Sequence, residues 1–199
     1  MSHKTLSRLS AIGVLVAAAF LALSATRYPG GYDWNRHFIS TLFRSTTPSG
    51  AQNSARPLAI VGMLIFCASM ALLFQLMSSE AKSAFHKKTI QIAGIGSMVY
   101  ALLTFTLMHD LMVSISLVFF LTAMFAILHM LYSQRHIRLL SLGIFCLAIL
   151  LGGAVMYYGN VLLAFLPLAQ KVSYVLCVGW LFAVQFANRR MRSTQDYHA

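Results

Sequence analysis

The sequence predicts an all-α fold, an integral membrane bundle of six transmembrane helices with a short interfacial helix in the first outer loop. Three observations predict it. The 199 residues are 59% hydrophobic and only 10% charged, with mean hydropathy +0.74, against about 25% charged residues in a soluble domain. Six apolar runs each approach the ~20 residues that cross a ~30 Å hydrocarbon core. None of the runs alternates apolar with polar residues as a membrane β-barrel strand would, and backbone groups in lipid must bond within their own segment, so the runs are helices.

The spans read as Leu6–Ala25, Pro57–Met77, Ile90–Met108, Leu111–Tyr132, Leu139–Tyr158 and Leu168–Phe186. They form one domain, 1–199, without an internal repeat or a soluble module. The first run follows Lys4 and Arg8 and ends near Ser24 and Ala25, so a cleaved signal peptide is an alternative to a permanent anchor. The third and fourth runs join without a Gly-Pro cluster. His109-Asp110 is the strongly polar interruption between them, so the turn belongs there, with Asp110 placed to cap the helix that follows.

Charge gives the orientation. The chain carries 15 Lys and Arg against 4 Asp and Glu, a formal net charge of +11. Ten of the basic residues (Lys4, Arg8, Lys82, Lys87, Lys88, Arg135, Arg138, Arg189, Arg190 and Arg192) flank one side of the spans. Five (Arg27, Arg36, Arg44, Arg56 and Lys171) flank the other. The positive-inside rule makes the richer side cytoplasmic, with both termini inside, as expected for a multi-pass protein of a bacterial inner membrane. Basic clusters between apolar runs attract anionic lipid, which makes membrane lipids the expected partner. No basic stretch interleaved with aromatics marks a nucleic-acid surface. A second copy or another membrane protein stays open as a partner.

Cys67, Cys146 and Cys177 each lie within an apolar run, without C-x-x-C or metal-ligand spacing, and read as small buried hydrophobes. His129, near the cytoplasmic end of the fourth span, has no histidine at similar depth to form a haem pair with. It is expected to be satisfied locally. Gly94, Gly96, Gly152 and Gly153 suit close helix packing.

The long connection from Tyr28 to Arg56 is the richest segment. Tyr28-Pro29-Gly30-Gly31 is a turn, after which Asp33 would cap a helix running to about Arg44. Trp34, Phe38, Leu42 and Phe43 would then form an apolar stripe lying on the bilayer, followed by a polar linker, Ser45 to Arg56. With this topology Asp33, Arg36, His37, Ser40, His109-Asp110, the Tyr157–Asn160 corner and Gln170-Lys171 all lie on the outer face. Asp33 and Asp110 are its two acids, each a plausible partner for Lys171 or Arg36.

Two chemistries suit this set. In the first, Arg36, His37, Ser40, Asp110 and Lys171 bind a lipid headgroup or small polar ligand, the cations holding the anionic group and Ser40 donating a hydrogen bond; it needs no cofactor. In the alternative, His37, His109 and Asp110 hold zinc for a membrane-embedded hydrolase. The bland account makes Asp110 a helix cap, puts His109 near the negative end of a helix, and seats Arg36 and Arg44 on lipid phosphates. A small transporter is a further alternative, supported only by Ser97, Tyr100, Thr104 and Ser141 in the spans.

Tyr28-Pro29-Gly30-Gly31-Tyr32, followed by Phe38-Ile39-Ser40-Thr41-Leu42, resembles a bacterial six-span family, the domain of unknown function numbered nine-nine-eight. That family tends to carry a Tyr-Pro-Gly turn, then Ile-Ser-x-Leu-Gly, and a polar-plus-basic pair before its last helix. Phe43 stands at the glycine position, and Lys171 where arginine is more usual. The family is distantly similar to eukaryotic membrane proteins of the FRAG/DRAM/Sfk type, linked to lipid and membrane homeostasis. The resemblance implies six spans and attention to Ser40 and Lys171, and supplies no activity.

Overall fold

A computed structural model describes residues 2–106 and 108–195, with backbone alone from 188 onward. Six helices cover it: α1 (His3–Thr26), α2 (Arg56–Glu80), α3 (Ala84–Leu102), α4 (His109–Ser133), α5 (Ile137–Tyr158) and α6 (Leu166–Gln195). Each contains a segment long and apolar enough to cross a membrane, and no strand occurs among the described residues. The chain is a multi-pass membrane protein.

The third span begins earlier than hydropathy suggests, at Ala84 rather than Ile90, and its α-helix ends at Leu102 before a 3₁₀ turn, Leu103–Phe105. Lys87 and Lys88 do not interrupt it, because long basic side chains carry their charge out to the interface while their stems lie along the helix. The turn to α4 falls just before His109.

Successive helices pack as neighbours from α1 to α6, and α6 also returns to touch α2. Lipid tails are as apolar as leucine, so close fit and interhelical hydrogen bonds, rather than burial from water, hold such helices together. Ser10 Oγ donates to the Ser69 carbonyl at 2.7 Å, and Ser24 Oγ to the Ala55 carbonyl at 3.0 Å, fixing α1 along α2. A Cβ at Gly94 would strike the Phe74 ring, and one at Gly143 would strike Trp180 and Leu128. Trp180, the largest buried side chain, donates from Nε1 to the Leu139 carbonyl at 2.8 Å. The core runs from Phe74 and Met77 of α2 through Ile90, Ile127 and Leu131 to Leu181 and Val184 of α6. Gly152 shows no neighbour that requires a glycine, nor does Gly153. The three cysteines are free and buried.

The first connection does not lie on the bilayer as a helix. Phe38 is extended, at φ −69° and ψ 152°, and only Ile39–Phe43 coil, as a 3₁₀ turn. Leu42 and Phe43, 1% and 5% exposed, pack inward against Ala25, Tyr28 and Ala59, with Phe105 beside them. Trp34 alone of the expected stripe is strongly exposed. Asn53 binds the segment to itself: Nδ2 donates to the Leu42 and Arg44 carbonyls, both at 3.0 Å, while Oδ1 accepts from Ala55 N. Arg56 Nε donates to the Phe43 carbonyl at 2.8 Å. The connection is a folded cap over α1 and α2.

Candidate functional site

Each group expected on the outer face lies at the loop end of the bundle, where the cap meets the α3–α4 and α5–α6 connections. Asp33 opens the arrangement. Its Oδ1 accepts from Asn35 N at 2.8 Å and from Arg36 N at 3.3 Å, a local turn that aspartate makes with its own following backbone. The backbone N–H of Asn35, aided by Arg36, holds this carboxyl below the usual aspartate value. Arg36 turns back on the same residue, with Nε 3.8 Å from Oδ2. The helical stripe expected to join Arg36 to Arg44 is absent because the chain turns here instead of coiling.

His37 is half-buried against Tyr28 and Tyr32, with ring centroids 5.7 and 5.4 Å away. Its Nδ1 accepts from Asp33 N at 3.2 Å. An N–H can only donate, so Nδ1 is the unprotonated nitrogen. The Tyr32 hydroxyl donates to the His37 carbonyl at 3.1 Å, and burial beside Tyr28 pushes its pKa up to about 12. Ser40 is half-buried on the 3₁₀ turn, and its hydroxyl makes no hydrogen bond among the described residues.

Lys171 finds partners that sequence could not show. Its ammonium donates to the His37 carbonyl at 2.6 Å and to the Pro167 carbonyl at 3.1 Å, and lies 5.8 Å from the centre of the Tyr32 ring. Neither Asp33 nor Asp110 comes within ion-pair distance of it. Next to it, Gln170 Oε1 accepts from Ile39 N at 3.2 Å. Two adjacent residues of α6 thus grip the backbone on both sides of Phe38.

His109 and Asp110 form a separate pair. His109 Nδ1 lies 2.9 Å from Asp110 Oδ1; a carboxylate oxygen accepts, so Nδ1 carries the proton. Asp110 does not cap α4. It stands inside the first turn, its side chain directed to His109 and beside Tyr157, where a negative charge complements the positive end of the helix. His109, expected near a negative helix end, is the first residue of α4. Its Nε2 is shielded and has no hydrogen-bond partner among the described residues. Ser114 Oγ joins the pair to α5, donating to the Asp110 carbonyl and lying 2.8 Å from the Tyr158 hydroxyl.

Between these clusters a groove of about 510 Å³ is lined by Phe38, Tyr157, Tyr158, Asn160, Leu163 and Leu166. Phe38 is the residue whose flanks Gln170 and Lys171 hold, and Tyr157 and Tyr158 are the residues beside Asp110 and Ser114. The rim includes a left-handed backbone at Asn160 and Leu162, φ 52° and 53°; asparagine tolerates this, while a leucine there is strained. The groove joins the Lys171 and Asp110 clusters along one wall each. Among the described residues no three His, Cys, Asp or Glu side chains gather as metal ligands. The chain matches no protein-family model, no curated protein and no solved structure.

One pair at the opposite end escaped the sequence. His86 Nε2 lies 2.7 Å from His129 Nδ1, the rings stacked 5.0 Å apart, so His129 does have a histidine at its own depth. The signal was present. The two residues stand about equally far from the α3–α4 turn, and in an antiparallel hairpin such positions meet.

Proposed function

We propose that this protein resides in a bacterial inner membrane with both termini cytoplasmic, and that its extracytoplasmic end binds a lipid headgroup or small polar ligand carrying negative charge. One observation carries the proposal: the half-buried ammonium of Lys171, held by two carbonyls and the Tyr32 ring with no carboxylate within ion-pair distance, grips the backbone next to Phe38, which with Tyr157 and Tyr158 walls a groove. A cation drawn partly out of water, with Asp33 acting on it only from beyond ion-pair distance, favours an anion nearby. Ser40 keeps a hydroxyl available, and Arg36 and Arg44 raise the local potential.

The test is the anionic lipid retained by the purified chain, measured by mass spectrometry. Arg36→Gln combined with Lys171→Met should lower it, while zwitterionic lipid stays constant. Unchanged anionic lipid in a folded double variant overturns the proposal.

A second reading, a membrane-embedded hydrolase, is favoured by the His109–Asp110 pair, an imidazole oriented by a carboxylate whose shielded Nε2 would serve as general base once the chain opens a path to it. A zinc form of it would require His37 to approach this pair. Stoichiometric zinc in the purified chain, lost in His109→Ala, would support it; zinc-free protein would remove the metal form.

A further inference from the structure

At the end of the bundle where α1 begins and α2 ends, a second groove of about 460 Å³ runs between α3 and α4. Its rims are Phe85 and Ile92 of α3 and Val118 of α4, 71%, 55% and 64% exposed, and buried Ala93 is its floor. The Phe119 ring closes the inner end, seated on Gly96 where a Cβ would collide with it. From Phe85 to Ala93 the groove follows eight residues of helix, or about 12 Å at ~1.5 Å per residue, close to the ~15 Å depth of one leaflet.

Lys88 lines the groove near its outer end, next to Lys87. Between Ala84 and Ser133 the sole carboxylate is Asp110, at the far end of the hairpin. The groove is therefore mainly apolar, with the small hydroxyls of Thr89 and Thr122 on its walls, and basic at its mouth. We propose that it holds an anionic phospholipid, one acyl chain lying between α3 and α4 and the phosphate meeting Lys88. The site lies at the opposite end from the headgroup site proposed above and does not rest on it.

Charge selects a lipid over a second copy of the chain. Two copies in one bilayer share an orientation, so a two-fold axis between them runs along the membrane normal and each residue meets its own counterpart at equal depth. Groove against groove would set Lys88 facing Lys88. A phosphate neutralises the same group.

The test uses the full chain reconstituted in bilayers of phosphatidylglycerol and phosphatidylcholine at equal mole fractions, followed by native mass spectrometry. One phosphatidylglycerol should be retained in preference to phosphatidylcholine. Lys88→Gln, at an exposed position that does not perturb packing, should reduce that preference about fivefold, the effect of one basic side chain at an anionic surface. Thr89→Phe, which fills the groove, should abolish the Lys88-dependent retention while leaving the Arg36- and Lys171-dependent share in place. Arg36→Gln with Lys171→Met, at the other end, should leave the Lys88-dependent preference intact, so failure of one site is distinguishable from failure of the other. Equal retention of the two lipids, or an unchanged preference in Lys88→Gln, overturns the proposal. So does efficient disulfide dimerisation of Val118→Cys in the bilayer, which would seat a second copy in the groove.

Discussion

Removing the grip of α6 on the first connection should loosen the cap without disturbing the bundle. Two hydrogen bonds cross from α6 to the cap: Lys171 Nζ to the His37 carbonyl at 2.6 Å, and Ile39 N to Gln170 Oε1 at 3.2 Å. A bond to a charged group contributes about 1.5–3 kcal/mol net and a neutral one about 0.5–1.5. Both sites are partly reached by solvent, and the Tyr32 hydroxyl still serves the His37 carbonyl when Lys171 is gone, so the lower figures apply. Gln170→Ala with Lys171→Met should therefore cost about 2 kcal/mol of local stability, or roughly 30-fold in the opening equilibrium. The Ile39 amide is its own reporter. Hydrogen exchange in nanodiscs should show its protection falling roughly 30-fold in the double variant, with the amides of α2 and α3 unchanged. Unaltered protection at Ile39 would refute the clamp, and an equal rise throughout the helices would show that Gln170 and Lys171 support the whole bundle instead.

Other consequences are equally direct. Gly143→Ala drives a Cβ into Trp180 and Leu128 and should destabilise the chain by about 1–3 kcal/mol, read as a lower melting temperature; Gly152→Ala, with open space around it, should be neutral or stabilising. Ser10→Ala removes the buried bond to the Ser69 carbonyl and should cost about 0.6 kcal/mol and at most ~1.7 in denaturant titration. The Asp33 turn should respond to acid. Its pKa is lower in the folded chain than in the unfolded one, so its contribution is complete at neutral pH and is lost as pH falls below roughly 3.9 and through the depressed value. Trp34 fluorescence in a Trp180→Phe background should change over that range, and Asp33→Asn, which keeps the turn without a titrating group, should flatten the response.

Six helices were legible because lipid imposes one solution on any apolar run of sufficient length. Their boundaries were less so: Lys87 and Lys88 look like the end of a span in hydropathy, yet they lie within α3 because their charges reach the interface. The shared end of His37, His109 and Lys171 followed from counting crossings. What they touch did not. Lys171 bonds to two backbone carbonyls, which carry no signature in sequence, and Asp33 acts on it only from beyond ion-pair distance. The amphipathic stripe failed for a related reason. Its spacing was helical, but Asp33 captured the following N–H groups in a turn, and Leu42 and Phe43 had a better apolar partner in Ala25, Tyr28 and Ala59 than in the bilayer.

The way the cap is tied also dictates an order of events during synthesis. Asn53, Arg56, Ser24 and the apolar cluster around Leu42 draw almost entirely on residues up to the middle of α2, so this unit is complete when the ribosome has released two helices. Gln170 and Lys171 are made 115 residues after Ala55, roughly ten seconds later at ~5–20 residues per second. Until then the nascent chain carries a formed but unlatched cap, and it is the sixth helix that fastens the first connection.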